Sequence, residues 1–279
     1  MRLLHGRPLA EEVNARTRER VATLAARGVR PRLAVLSVGI DPAAVTYQER
    51  LVRSGKHLGI DVRVEALPRD TDEAAAVEKL VELGRDRSVH GILLLTPLPL
   101  PLSEARLVDE IPPEKDVEGV HPYNVGLLKA GRPRFVPSTA DGILALLKFH
   151  QITLRGAKAV VIGRSPVVGR PTATLLINED ATVTVAHSKT PDIPSLTRAA
   201  AIVVVAVGHE RFLTGEMLSP GVTVIDAGIN VTPAGIVGDV DVESVSAVAG
   251  ALSPVPGGLG AVTTALLLRN VTKAAEEVR

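Results

Sequence analysis

Along the first third of the chain, apolar positions alternate between helical spacing and short continuous runs. Leu9, Val13, Val21, Leu24 and Ala25 recur at helical intervals between Gly6 and Gly28, and residues 32–38 (RLAVLSV) follow as a buried strand. Asp41-Pro42 opens a second helix that reaches about Leu58, and residues 60–67 alternate as a strand does. A third helix, capped by Thr71 or Asp72, runs to about Arg85 and precedes the apolar run from His90 to Leu95, which breaks at TPLPLPL. Helix and strand in alternation predict a mostly parallel sheet covered by helices.

After a loop over 112–137, a helix over 140–150 leads into a second series of apolar runs at 159–162, 181–186, 201–207 and 222–226. Residues 262–278 are again helical. Their apolar face (Val262, Leu266, Leu267, Val271) predicts a return to the first domain, where it finds cover. The expected organisation is α/β: a three-layer N-terminal domain over 1–139 and 262–279, and a second α/β domain over 140–261.

A length of 279 residues with 46% hydrophobic content suits two domains better than one. Aromatic residues make up 2% of the chain, with no Trp, which leaves little for stacking nucleic-acid bases. The 32 Lys+Arg and 31 Asp+Glu are dispersed, so no nucleic-acid partner is expected. With no cysteine, thiolate nucleophiles and iron–sulfur clusters are excluded, and redox chemistry needs a borrowed cofactor. No apolar run approaches the ~20 residues that cross a bilayer, so no membrane partner and a cytoplasmic location are expected.

A cofactor signal lies in the second series. Residues 158–171 (KAVVIGRSPVVGRP) read as a strand, a turn opened by Gly163, and a helix start at Gly169, an arrangement that lets a dinucleotide pyrophosphate approach backbone N–H groups. The spacing is G-x5-G rather than G-x-G-x-x-G, and a tight strand-to-helix turn without a ligand has the same form. The following strand ends in His187, Ser188 and Lys189, where a site preferring NAD carries an acidic residue for the ribose 2′-OH. Ser188, Lys189 and Arg164 suit a 2′-phosphate, hence NADP and a Rossmann-type NADP-binding domain; solvated loop cations are the alternative. Gly208, and Gly228 with Ile229, close the next two strands where a nicotinamide half could approach, although Gly at a strand end also serves as plain turn chemistry.

The chain resembles the bifunctional methylenetetrahydrofolate dehydrogenase/methenyltetrahydrofolate cyclohydrolase (FolD) family over essentially its full length. The resemblance rests on residues 38–43 (VGIDPA) with Tyr47, 115–124 (KDVEGVHPYN), 161–171 (VIGRSPVVGRP), 186–190 (AHSKT) and 254–260 (PVPGGLG). It implies a folate cleft between the two domains, a homodimer, hydride transfer from 5,10-methylenetetrahydrofolate to NADP, and opening of the methenyl cation by water. It places substrate contacts at Tyr47, Glu118, Pro256, Gly257, Gly258 and Leu259. Cofactor contacts fall on Gly163, Arg164, Ser165 and Ser188, with Ile229 near the nicotinamide end.

Departures from the family pattern carry as much information. The lysine four residues after the motif tyrosine is Leu51, and the glutamine that hydrogen-bonds it is Leu95. The aspartate that contacts the pterin is Glu118. A positioned acid or base contributes ~100- to ~10,000-fold, and Leu can neither donate nor accept a proton. Water attack should therefore suffer more than hydride transfer, which asks mainly for distance and orientation. The expectation is a dehydrogenase, with Tyr47 and Glu118 as its catalytic residues, whose cyclohydrolase activity is weak or absent. Two other readings remain open: an enzyme on this scaffold with a different substrate, and a non-catalytic partner subunit.

Overall fold

The computed structural model describes residues 1–39, 42–233 and 235–277, with side chains from residue 45 onward in the second helix. In chain order the elements are β1 (Arg2–Leu3), α1 (Arg7–Ala26), β2 (Arg32–Val38), α2 (Pro42–Leu58), β3 (Asp61–Leu67), α3 (Glu73–Arg85), β4 (Gly91–Leu94), α4 (Glu104–Val108), α5 (Pro122–Lys129), α6 (Ser138–Phe149), β5 (Lys158–Ile162), α7 (Gly169–Asn178), β6 (Thr182–Ala186), α8 (Ile193–Arg198), β7 (Ile202–Val205), β8 (Thr223–Asp226), β9 (Asn230–Thr232), β10 (Gly235–Val237), α9 (Val242–Ser246), β11 (Ala251–Leu252) and α10 (Leu259–Glu277). Asp41 and Val278, named above at helix ends, lie outside the described residues.

Two compact units result: Glu12–Val136 with Thr264–Arg279, and Met1–Glu11 with Pro137–Thr263. The first eleven residues, expected in the N-terminal domain, stand instead with the second unit because β1 pairs in parallel with β11.

In the first unit β2 is the centre of a parallel sheet of order β3-β2-β4. Alternation along β2 sends Leu33 and Val35 into one cluster with Val21 of α1, Leu51 and Leu58 of α2, and Leu267, Leu268 and Val271 of α10. Ala34 and Leu36 enter the opposite cluster with Ala76, Leu80 and Leu83 of α3. A period of two, buried on both faces, makes three layers. The Asp72 carboxylate caps α3 by accepting from Ala75 N at 2.7 Å.

The second unit holds a parallel sheet of order β1-β11-β8-β7-β5-β6. From β5 the chain turns one way to β6 and the other way to β7 and β8, which creates a switch point beside β5 where ligands of such sheets bind. The strand ends are level: Ile162 pairs with Ala186 and Val205, and Val205 with Asp226. Gly163, His187, Ala206 and Ala227 therefore share one edge of the sheet. Within 112–137, expected as loop, α5 forms: His121 Nδ1 accepts from Tyr123 N at 3.0 Å and Pro122 occupies the first turn.

Candidate active site

Tyr47 sits on the described part of α2, half-buried against the cluster that contains Leu51 and Leu95. Burial, and then the Glu118 carboxylate, push its phenol well up, with the Arg50 guanidinium as a partial offset. The phenol therefore stays protonated near neutral pH, where it can donate a hydrogen bond and cannot act as a base. Arg50 lies one turn on, its Cζ 5.2 Å from the Tyr47 ring centroid. Leu51 is fully buried and Leu95 is 9% exposed, and both belong to the same apolar core as Phe135 and Leu267. No proton donor or acceptor stands at either position.

Glu118 is half-buried on a turn whose backbone is fixed from both sides. The buried Asp116 carboxylate accepts from Gly119 N (3.0 Å), Val120 N (3.2 Å), His121 N (2.8 Å) and Asn124 Nδ2 (2.8 Å). Asn270 Nδ2 donates to Val117 O at 2.9 Å. Gly119 has φ +73°, and a Cβ there would stand 2.7 Å from the Phe135 carbonyl, so no other residue fits. Asp116 belongs to the run 115–124 (KDVEGVHPYN). Its four donors all lie within the next eight residues, three of them backbone N–H groups whose direction a sequence does not record.

In the other unit Gly163 N donates to Ala186 O at 2.9 Å, and Ala206 N donates to Ile162 O at 2.8 Å, which locks the turn between two strands. Cβ atoms at Gly163 and Gly169 would overlap Ala206 O and Gly163 O respectively, so both glycines are required by packing of strand end and helix start. The N-terminus of α7 is less open than the sequence implied. Ser165 Oγ accepts from Val168 N (3.2 Å) and Gly169 N (3.4 Å), and Ser165 O accepts from Arg170 N (3.1 Å). A phosphate oxygen arriving there competes with Ser165 Oγ for two of these N–H groups.

Beyond β6 the chain makes a tight turn: Thr190 N donates to His187 O (2.8 Å), His187 N to Thr190 Oγ1 (3.0 Å) and Lys189 N to His187 Nδ1 (3.2 Å). Ser188 and Lys189 are left exposed, as is Arg164, and residues 187–190 contain no acid. Gly208 is exposed, with open space where a side chain would stand, and Ile229 is 68% exposed. The loop 254–259 is closed by Gly258 N donating to Pro254 O (2.7 Å) and by Gly6 N donating to Gly257 O (3.0 Å). Pro256 and Gly257 are exposed, whereas Gly258 and Leu259 are buried. Thus the predicted substrate residues divide between the units, Tyr47 and Glu118 in one and Pro256 to Leu259 in the other.

Two family profiles match the chain: "Tetrahydrofolate dehydrogenase/cyclohydrolase, catalytic domain" over residues 4–118, and the "NAD(P)-binding domain" of the same name over 137–279. The chain belongs to the tetrahydrofolate dehydrogenase/cyclohydrolase family. It is 47% identical to the bifunctional protein FolD of Roseiflexus sp. (strain RS-1), over 99% of this chain and 96% of that one. Among solved structures it is similar to the bifunctional FolD methylenetetrahydrofolate dehydrogenase/cyclohydrolase of Campylobacter jejuni, with a TM-score of 0.96, 41% identity and 99% of each chain covered. The Trypanosoma brucei FolD complexed with NADP cofactor and inhibitor gives a TM-score of 0.94 at 34% identity, covering 98% of this chain and 97% of that one. This FolD-family chain is accordingly an oxidoreductase of tetrahydrofolate one-carbon metabolism with an NAD(P)-binding domain. Among the described residues, no helix is long and apolar enough to cross a membrane.

Proposed function

We propose that this protein oxidises 5,10-methylenetetrahydrofolate to 5,10-methenyltetrahydrofolate with NADP, and that it opens the methenyl product with water slowly or not at all. The observation that carries the second half is the burial of Leu51 and Leu95 in one apolar cluster beside Tyr47. Opening the methenyl cation requires a proton to leave the attacking water, and neither leucine can take it. Tyr47, held protonated, donates to the substrate and orients it, and Glu118 on its fixed turn accepts from pterin N–H groups.

The residues of the second unit fit NADP. Gly208 leaves space at a strand end, Arg164 and Lys189 supply exposed cations, and residues 187–190 directly after β6 hold no acid to repel a 2′-phosphate. When bound, the nicotinamide ring accepts the hydride. In this reading Gly163, Arg164, Ser165 and Gly169 hold the pyrophosphate side, His187, Ser188 and Lys189 the 2′-phosphate, and Gly208 and Ile229 the nicotinamide. Pro256, Gly257, Gly258 and Leu259 line the folate side, and the working form is a homodimer in the cytoplasm.

The test is a pair of assays on purified protein: NADPH formation from methylenetetrahydrofolate, and enzyme-dependent loss of the methenyl chromophore. NADPH formation with chromophore loss at the uncatalysed rate is expected. Rapid enzymatic loss of the chromophore would overturn the second half, and absence of NADPH formation the first.

A further inference from the structure

Two buried carboxylates stand directly behind the strand ends assigned to the nicotinamide. Asp226 is 2% exposed and Asp239 is fully buried. Asp239 Oδ2 accepts from Val207 N (2.7 Å) and Gly208 N (2.9 Å), and its Oδ1 accepts from Asn230 Nδ2 (2.9 Å). Asp226 Oδ1 accepts from Gly228 N and Asp239 N, both at 2.9 Å, and Oδ2 accepts from Val240 N at 3.1 Å. These six bonds tie the end of β7, the end of β8 and the root of the β9–β10 hairpin into one piece. None of the six donors carries a charge, so two negative charges are held by amide dipoles alone. The packing leaves no slack: a Cβ at Gly228 would overlap the Asp239 carboxyl, and one at Gly238 the Asp226 carboxyl.

We infer that Asp226 and Asp239 are positioning residues that fix Gly208 and Ile229 relative to each other, and that their charge makes the pocket bind the oxidised, cationic nicotinamide in preference to the reduced one. This rests on the reading that Gly208 and Ile229 face the nicotinamide. Burial, with the Asp239 charge adding to it, pushes the Asp226 carboxyl up, and a cation at the adjacent strand ends relieves that repulsion. NADP in its two redox states differs in charge only at this ring. A change in loop position moves both affinities, whereas loss of a carboxylate charge moves their ratio.

The experiment measures the dissociation constants of oxidised NADP, by calorimetry, and of NADPH, by fluorescence, for the full chain and for Asp239→Asn. The amide retains an oxygen for Val207 and Gly208 N–H and gives up the bond from Asn230, whose Nδ2 keeps Gly238 O at 3.2 Å. The unaltered protein is read as well: it should bind oxidised NADP more tightly than NADPH, and the reverse order would overturn the inference whether or not Asp239→Asn folds. Oxidised NADP is expected to bind about tenfold more weakly and NADPH within about twofold of the parent, as for one unit charge lost from a partly buried pair. Equal weakening of both forms, or an unchanged ratio, would overturn the inference. Failure of the unaltered protein to bind either form would refute the nucleotide reading beneath it.

Discussion

Installing the family's pair, Leu51→Lys with Leu95→Gln, tests whether the apolar residues at these two positions limit opening of the methenyl group by water. Leu51 is fully buried beside Val35, Leu93, Phe135 and Leu267, so replacing it with Lys removes about 1.5–3 kcal/mol of side-chain burial and places an amine among apolar neighbours. The single Leu51→Lys variant should lose about 3–5 kcal/mol, within reach of the ~5–15 kcal/mol that such domains possess. Adding Gln at position 95 supplies a carbonyl to the amine, so the double variant should be about 1 kcal/mol more stable than the sum of the singles implies. Urea unfolding of the four proteins gives that coupling energy. At a temperature where all four remain folded, enzyme-dependent opening of the methenyl chromophore should rise ~100- to ~10,000-fold in the double variant only, with NADPH formation within a few-fold of the parent. A coupling energy of zero would mean that the two side chains do not meet. Unchanged hydrolysis despite positive coupling would show that the missing amine is not what limits water attack, and the chemical argument would fail.

Three further outcomes follow from the same geometry. If the exposed Lys189 pairs with the 2′-phosphate as proposed, Lys189→Ala should weaken NADP binding about tenfold and leave NAD nearly unaffected, as measured by competition. Burial, then the charges of Lys115 and Arg32, hold the His90 imidazole below its ordinary value, and its Nδ1 accepts from Arg32 N. A histidine lowered on folding contributes stability above its unfolded value of ~6.5 and loses it as pH falls. Urea midpoints should therefore drop between pH 7.5 and 5.5, and His90→Gln should flatten the drop; an equal drop in the variant would contradict this. Gly119→Ala should cost about 2 kcal/mol or more, from its φ of +73° and the clash with the Phe135 carbonyl, and should lower kcat by displacing Glu118.

Periodicity made seven strands and the long helices legible because each depends on residues close in sequence. The run RLAVLSV is buried on both faces and could hardly be anything but an inner strand. β1, β11 and α5 have no such local signal. β1 and β11 are two residues each and exist because they pair with one another and with β8. α5 is eight residues long, and its start is stabilised by His121 and by Asn124, whose amide reaches back to Asp116 and to Pro113 O.

The candidate site shows the same division, with a consequence for how its chemistry is read. The glycine turn after β5 and the cations after β6 follow from short spacings, and the Leu51 and Leu95 substitutions are visible because they interrupt recognisable runs. What holds those groups is harder to read: Asp116 gathers four donors from the next eight residues, and Asp239 reaches Val207 N across thirty-two. A carboxylate in a sequence reads as a solvated charge or a catalytic acid until its partners are known. Here two of the acids are neither. Asp116 fixes the turn that carries Glu118, and Asp239 fixes the strand end that carries Gly208. Each buried carboxylate carries a desolvation cost that its hydrogen-bond donors offset, so its part in the molecule is read from those partners and not from its place in the sequence.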